Sequence, residues 1–164
     1  MFSPQDPRPI VPGSIDTVGM KFAVVVSRFN SEISNALRDG AMRGFADHGV
    51  AESSITTVYV PGAFEIPIAA QALADTGDYA AIIGLGAVIR GETAHFEYVA
   101  GECARGIQHV SLETGIPVMF GVLTTDTLAH AQARSGTDRS NKGWECAAGA
   151  IEMAAVLRSI RTAG

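Results

Sequence analysis

Of the four histidines, His95 alone sits in a string that suggests chemistry. It ends the run GAVIRGETAH, from Gly86 to His95, with Gly91, Glu92 and Thr93 just ahead of it. An imidazole with an ordinary pKa near about 6.5 gives and takes protons around neutrality. A helix starting here would offer unpaired backbone N–H groups and the positive end of its macrodipole to an anion such as phosphate. The Thr93 hydroxyl would be a further donor, and a proton carrier would stand beside a leaving group. The plain alternatives are simple N-capping by Thr93 and a structural histidine capping its own loop. Arg134 offers the forked cation that phosphate favours, unless it is merely solvated. His48, His109 and His130 have no such setting and are expected at the surface or at helix ends.

Phe29 and Phe64 each follow an apolar run instead of lying within one. Their rings can stack on a planar base at a pocket mouth; equally, each can cap the core beneath its loop. With Glu65 beside Phe64, the set becomes aromatic rings, a carboxylate, an imidazole and a helix start. That mixture suits a flat heterocycle together with an anion. No three residues have metal-ligand spacing, and neither a Gly-x-Ser-x-Gly elbow nor a P-loop occurs, which disfavours a metal centre, hydrolysis and nucleoside-triphosphate chemistry.

The elements that must carry these residues alternate. Lys21 to Ser27, Ile55 to Val60, Ala80 to Ala87 and Pro117 to Val122 are short apolar runs, as expected of strands buried on both faces. Between them, Ile33, Leu37, Ala41 and Phe45 recur every fourth residue, with Asn30 or Ser31 available as N-cap and Gly49 just past the end. A second stripe runs from Phe96 to Val110 and closes at Gly115 and Pro117; a shorter helix is expected over Phe64 to Asp75. The last helix, Lys142 to Ile160, is apolar on nearly every side, so cover by other subunits is expected where one small sheet does not reach. This order calls for a parallel sheet with helices on both faces, and ligands bind beyond the carboxyl ends of such strands. The candidate residues all follow strand ends.

The bulk properties agree with one such domain. At 164 residues the chain fits one core, and 47% hydrophobic against 18% charged residues leaves little room for disorder. A net charge of −5 excludes the basic footprint that nucleic acid needs. No apolar run approaches the roughly 20 residues that span a bilayer, and the first residues lack a basic start with an apolar stretch; a cytoplasmic protein is expected. Cys103 and Cys146 lie among small or apolar neighbours in helical segments, which predicts two packed, reduced thiols. Four of the seven prolines fall within residues 1–12, so residues 1–20 read as an arm outside the core and residues 21–164 as the domain.

Several strings together resemble lumazine synthase: Arg28-Phe29-Asn30, VPGAFEIP from Val60 to Pro67, GAVIRGETAHFEY from Gly86 to Tyr98, FGVLTTDT from Phe120 to Thr127, and Arg134 to Gly143 ending in Asn141-Lys142-Gly143. The likeness keeps order and spacing over nearly the whole chain after Lys21. It implies a flavodoxin-like, three-layer α-β-α sandwich around a mainly four-stranded parallel sheet. It further implies condensation of 5-amino-6-(D-ribitylamino)uracil with 3,4-dihydroxy-2-butanone 4-phosphate to 6,7-dimethyl-8-ribityllumazine, without metal or redox cofactor. On this resemblance Phe29 stacks on the pyrimidine, the backbone of Ala63 and Phe64 bonds its polar edge, and Glu65 holds ribityl hydroxyls. Asn30 and Val88 would belong to the same pocket. Gly91, Glu92, Thr93 and Arg134 would bind the phosphate, His95 would transfer protons, and Lys142 would bond a ring oxygen. Phe120 would come from an adjacent subunit.

Relatives of this kind form pentamers, some of which assemble into 60-subunit shells around riboflavin synthase. The short loop from Gly136 to Asn141 looks more like that of the shell formers. Asp138 stands where many relatives have lysine, so no substrate contact carries over to it, and Ser140 replaces a common glycine. A non-catalytic flavin- or lumazine-binding module, or a shell protein of the same fold, is the competing class. Ser27-Arg28-Phe29-Asn30 argues against a flavodoxin-type FMN site, since it lacks a hydroxyl-rich phosphate turn, and there is no acidic pair for a response regulator.

Overall fold

A computed structural model describes residues 1–163. Four parallel strands form one sheet in the order β2-β1-β3-β4, with β1 at Phe22–Ser27, β2 at Ile55–Val60, β3 at Ala81–Ile89 and β4 at Val118–Thr125. Side chains alternate across β1 and β3, which are buried on both faces. Phe22, Val24 and Val26, with Ile83 and Leu85, face one helical layer; Ala23, Val25 and Ile82 face the other. The first layer holds α1 (Ser31–Asp47) and α5 (Lys142–Thr162), and the second holds α2 (Ile66–Asp75) and α3 (His95–Thr114). The result is the expected three-layer α/β sandwich, flavodoxin-like in its layering.

Two strands run further than their apolar stretches suggest. β3 extends to Ile89 and β4 to Thr125, because Val88 and Ile89 pair with Thr124 and Thr125 and β-branched residues suit a ladder. β2 is not buried on both faces: Thr56 and Tyr59 are exposed, as befits an edge strand with one neighbour. A short helix absent from the sequence reading, α4 at Leu128–Ala133, follows β4 and is capped by the Thr127 hydroxyl, which accepts from His130 N at 3.1 Å.

The close approach of α1 and α5 depends on glycine. A Cβ at Gly40 would lie 2.0 Å from Asn141 Oδ1, and one at Gly44 would lie 2.8 Å from the Ala147 Cβ. With α1 on one side and the sheet on another, α5 buries Ala147, Ala150, Ile151 and Ala154 within its own chain. Fewer of its sides await a second subunit than its composition implies; Met153 and Ile160 stay exposed. On the opposite layer Gly84 lets α2 and α3 onto the sheet, since a Cβ there would meet Ile66 Cγ2 at 2.8 Å.

The leading segment forms no strand, and its last part is not outside the core: Ile15 and Met20 are buried with the α1/α5 cluster, because their apolar side chains find the open flank beside it. Among the described residues no helix is long and apolar enough to cross a membrane. Cys103 and Cys146 are both free and buried; burial pushes their thiols up to about 12 and about 11 respectively. His48 lies at the end of α1, as expected, but is buried rather than at the surface. The ring packs against Trp144, with Nδ1 2.7 Å from the Gly44 carbonyl oxygen and Nε2 unpartnered.

Candidate active site

The strand order reverses between β1 and β3, where a ligand crevice belongs in a sheet of this kind. A cleft of about 680 Å³ opens there. It is lined by Phe29 after β1, by Ala63, Phe64 and Glu65 after β2, by Val88 of β3, and by Gly91, Thr93 and His95 at the approach to α3. Phe29 and Phe64 are 70% and 59% exposed, so neither is buried as a cap on the core.

Local chemistry explains the placement. Arg28 N donates to the Val60 carbonyl at 2.8 Å and Phe29 N to that of Pro61 at 3.1 Å, so the loop after β1 leans on the loop after β2. Asn30 then turns the chain in a left-handed conformation, φ 56°, that asparagine tolerates better than most residues. It occupies the N-cap position without capping: its Nδ2 donates to the Ala87 carbonyl at 2.8 Å. Asn30 therefore stands behind the cleft and ties β1 to β3. The backbone N–H of Glu65 donates to the Gly62 carbonyl at 3.3 Å, in the single 3₁₀ turn that leads into α2.

His95 is the first residue of α3, as its neighbours imply, and it is exposed. Its backbone N–H donates to the Thr93 hydroxyl oxygen at 3.4 Å, but the N-cap position belongs to Ala94, so Thr93 stands one residue before the cap. Gly91, Glu92 and Thr93 are exposed, but Glu92 does not line the cleft. Arg90 braces this loop. Its Nε donates to Asp126 Oδ1 at 2.9 Å, its Nη1 pairs with Glu97, and its guanidinium lies 4.3 Å from the Phe96 ring centre. The Arg90 guanidinium holds the Glu97 carboxyl below the usual carboxylate range.

Arg134, Lys142 and Phe120 lie elsewhere, with Glu145 and Ser140, around a second cleft of about 390 Å³ beside β4. The phosphate set read from the sequence is thus divided within one chain: Gly91 and Thr93 line the first cleft, Arg134 the second. The cause is layering. Ala131 of α4 packs into the α1/α5 core and carries Arg134 to that side, whereas α3 starts on the opposite layer. Phe120 is 36% exposed, Lys142 Nζ is 3.2 Å from Glu145 Oε2, and Arg134 Nη1 donates to the His130 carbonyl at 2.9 Å.

The family model for 6,7-dimethyl-8-ribityllumazine synthase matches residues 19–158. The chain belongs to that family. The match runs from just before β1 to near the end of α5, so both clefts of this lumazine synthase family member fall inside it.

Sequence reasoning passed over several residues that shape these surfaces. Phe96, Tyr98 and Val99 line the first cleft. The spacing of Tyr98 from His95 was the available signal, since residues three apart share a helix face. Glu145, three residues after Lys142, carried the same signal. Asp138 lines neither cleft. Hydrogen bonds from the Ser140 hydroxyl and N–H hold its carboxyl below the usual range, so it shapes the loop before α5.

Proposed function

We propose that this protein is a working lumazine synthase, a transferase that condenses 5-amino-6-(D-ribitylamino)uracil with 3,4-dihydroxy-2-butanone 4-phosphate to 6,7-dimethyl-8-ribityllumazine, phosphate and water. The observation that carries this reading is the pair of unlike clefts. One offers exposed aromatic faces, a carboxylate, an imidazole and a helix start; the other offers two cations and an aromatic ring. Each is half of what a flat base plus a phosphate ester requires.

We assign the first cleft to the pyrimidine and its ribityl chain, with Phe29 stacking, the Ala63–Phe64 backbone on the polar edge, and Glu65 on hydroxyls. The phosphate lies at Gly91–Thr93, over the start of α3. Arg134 reaches the phosphate from a neighbouring copy, whose Lys142 bonds a ring oxygen and whose Phe120 completes the pocket, because one chain holds all three on the opposite layer. A cyclic homo-oligomer, a pentamer in this reading, satisfies every site at once, since each copy gives one half-site and receives the other. The exposed Ile68, Tyr98 and Leu112 support burial against such neighbours. In the same reading the protein is cytoplasmic, and sedimentation decides between a free pentamer and a 60-subunit shell.

His95 stands where it can take a proton from the amine as the imine forms, and return one as phosphate leaves. Acid–base help of this kind supplies roughly 10²–10⁴-fold. Holding the two reactants together is worth up to about 7–11 kcal/mol in ideal cases, so positioning dominates. Mixing the protein with both substrates and following lumazine fluorescence tests the reading. Product at the uncatalysed rate would replace it with a binding or storage role, and sedimentation of a monomer would remove the shared site.

A further inference from the structure

Arg134 and Lys142 stand at the two ends of the loop 135–141, and the chain closes that loop on itself: Lys142 N donates to the Arg134 carbonyl at 2.9 Å. Most of the loop is exposed, but Asn141 is completely buried. Its side chain has no free hydrogen-bonding atom. Nδ2 donates to the Gly136 carbonyl at 2.7 Å and to the Ala36 carbonyl of α1 at 3.1 Å. Oδ1 accepts from Gly143 N at 2.8 Å and Trp144 N at 3.3 Å, which caps α5. Room for the amide exists only because residue 40 is glycine. One side chain thus joins the loop, α1 and the start of α5.

Its other tethers are weaker. Arg43 Nη2 reaches the Gly136 carbonyl from the surface at 3.3 Å, and Asp138 bonds Ser140 within the loop. Exposed bonds of this kind compete with water, whereas a buried amide with four partners is costly to displace. Ala131 anchors the α4 side of the loop in the core, and Asn141 fixes the path of the loop from Gly136 back to α5.

We propose that Asn141 is a positioning residue for the reaction: by tying Gly136 and α1 to the cap of α5, it sets where Arg134 presents its charge and so governs affinity for the phosphate-bearing substrate. This rests on the assignment of Arg134 to the phosphate. Asn141→Ser separates two roles, since serine still caps α5 but cannot replace both donated bonds.

In the whole oligomer, Asn141→Ser should raise the KM for 3,4-dihydroxy-2-butanone 4-phosphate about tenfold, equivalent to about 1.4 kcal/mol, with a smaller change in kcat. The KM for the pyrimidine should hold. In an Arg134→Ala background the same change should add less than about twofold, the non-additivity of residues acting together. Asn141→Thr, which likewise keeps a capping hydroxyl without the amide's two donated bonds, should reproduce the effect. If Arg134→Ala alone leaves KM unchanged, the phosphate assignment fails and the proposal with it. If Arg134→Ala raises KM but Asn141→Ser acts equally in both backgrounds, or lowers kcat alone, only the positioning role falls. Failure of both Asn141 variants to fold would make the residue purely a stability element and overturn the proposal.

Discussion

Replacing Gly143 by alanine should destabilise this protein, although alanine is the better helix former by about 0.8–1.0 kcal/mol. Gly143 is the second residue of α5, packed on α1. A Cβ there lies 1.9 Å from the Leu37 carbonyl oxygen, 2.8 Å from its carbon and 3.0 Å from Ala41 N. Ordinary contact begins at 3.4 Å, so the first turn of α5 must retreat by about 1.5 Å. All three opposing atoms are backbone, and no rotamer change relieves them. Forced expansion of a packed contact costs about 1–3 kcal/mol. The retreat also stretches the bond that Asn141 Nδ2 donates to the Ala36 carbonyl of α1, worth about 0.5–1.5 kcal/mol. After the helix propensity is offset, a net loss of about 1–3 kcal/mol is expected. Gly101→Ala is the control, because Gly101 lies exposed within α3 with nothing inside 4 Å of the added carbon. There the same substitution should stabilise by up to about 1 kcal/mol. Urea denaturation at one fixed protein concentration reads both, since assembly contributes to apparent stability. Gly143→Ala should also raise the KM for the phosphate substrate, because Lys142 N is bonded to the Arg134 carbonyl and moves Arg134 with the turn; Gly101→Ala should not. A Gly143→Ala protein with a midpoint at or above the parent's, and parental kinetics, would refute the close-packing argument.

Other perturbations probe the site and the core. His95→Ala should lower kcat by about 10²–10⁴-fold yet remain above the uncatalysed rate, because the reactants are still held together; activity at background would contradict a positioning-led mechanism. Arg134→Ala should lose more in kcat/KM than His95→Ala does, with the loss carried by KM for the phosphate substrate, and initial rates at varied concentrations of each substrate separate the two. Cys103 and Cys146 should resist an aromatic disulfide reagent at pH 8 in the folded protein and react freely in urea; fast labelling without denaturant would show that the layers open. Burial raises these thiols to about 12 and about 11, from an ordinary value of 9.0. The folded protein therefore keeps protons that the unfolded chain releases. Stability should hold below pH 9 and decline as pH rises from there towards 11–12, read as a fall in urea midpoint between pH 8 and pH 10.

Much of the fold is written in local pattern. Alternating apolar runs and four-residue periodicity located the four strands and four of the five α-helices found among the described residues, since burial on both faces leaves central strands continuously apolar and gives most helices one stripe. Where the pattern misled, a neighbour decided. Tyr59 and Thr56 belong to a strand that is half covered because β2 is an edge. His48, unremarkable among polar residues, is buried because Trp144 arrives from α5. The six-residue α4 is too short for periodicity to register.

The site divides along the same line. Residue type and spacing determined the chemistry on offer: His95 at a helix start, Gly91 and Thr93 before it, and Phe29, Phe64 and Glu65 just past strand ends. These can be read locally, because strand ends and helix starts are local events. Which of them meet is a matter of layers. Only the tertiary structure sends Arg134 to the α1/α5 side while α3 begins on the other, and only a fold with glycine at 40 gives Asn141 the space to join loop, α1 and α5, while glycine at 143 lets α5 onto α1. Proximity between residues distant in sequence is set by packing, and no single stretch of chain encodes it.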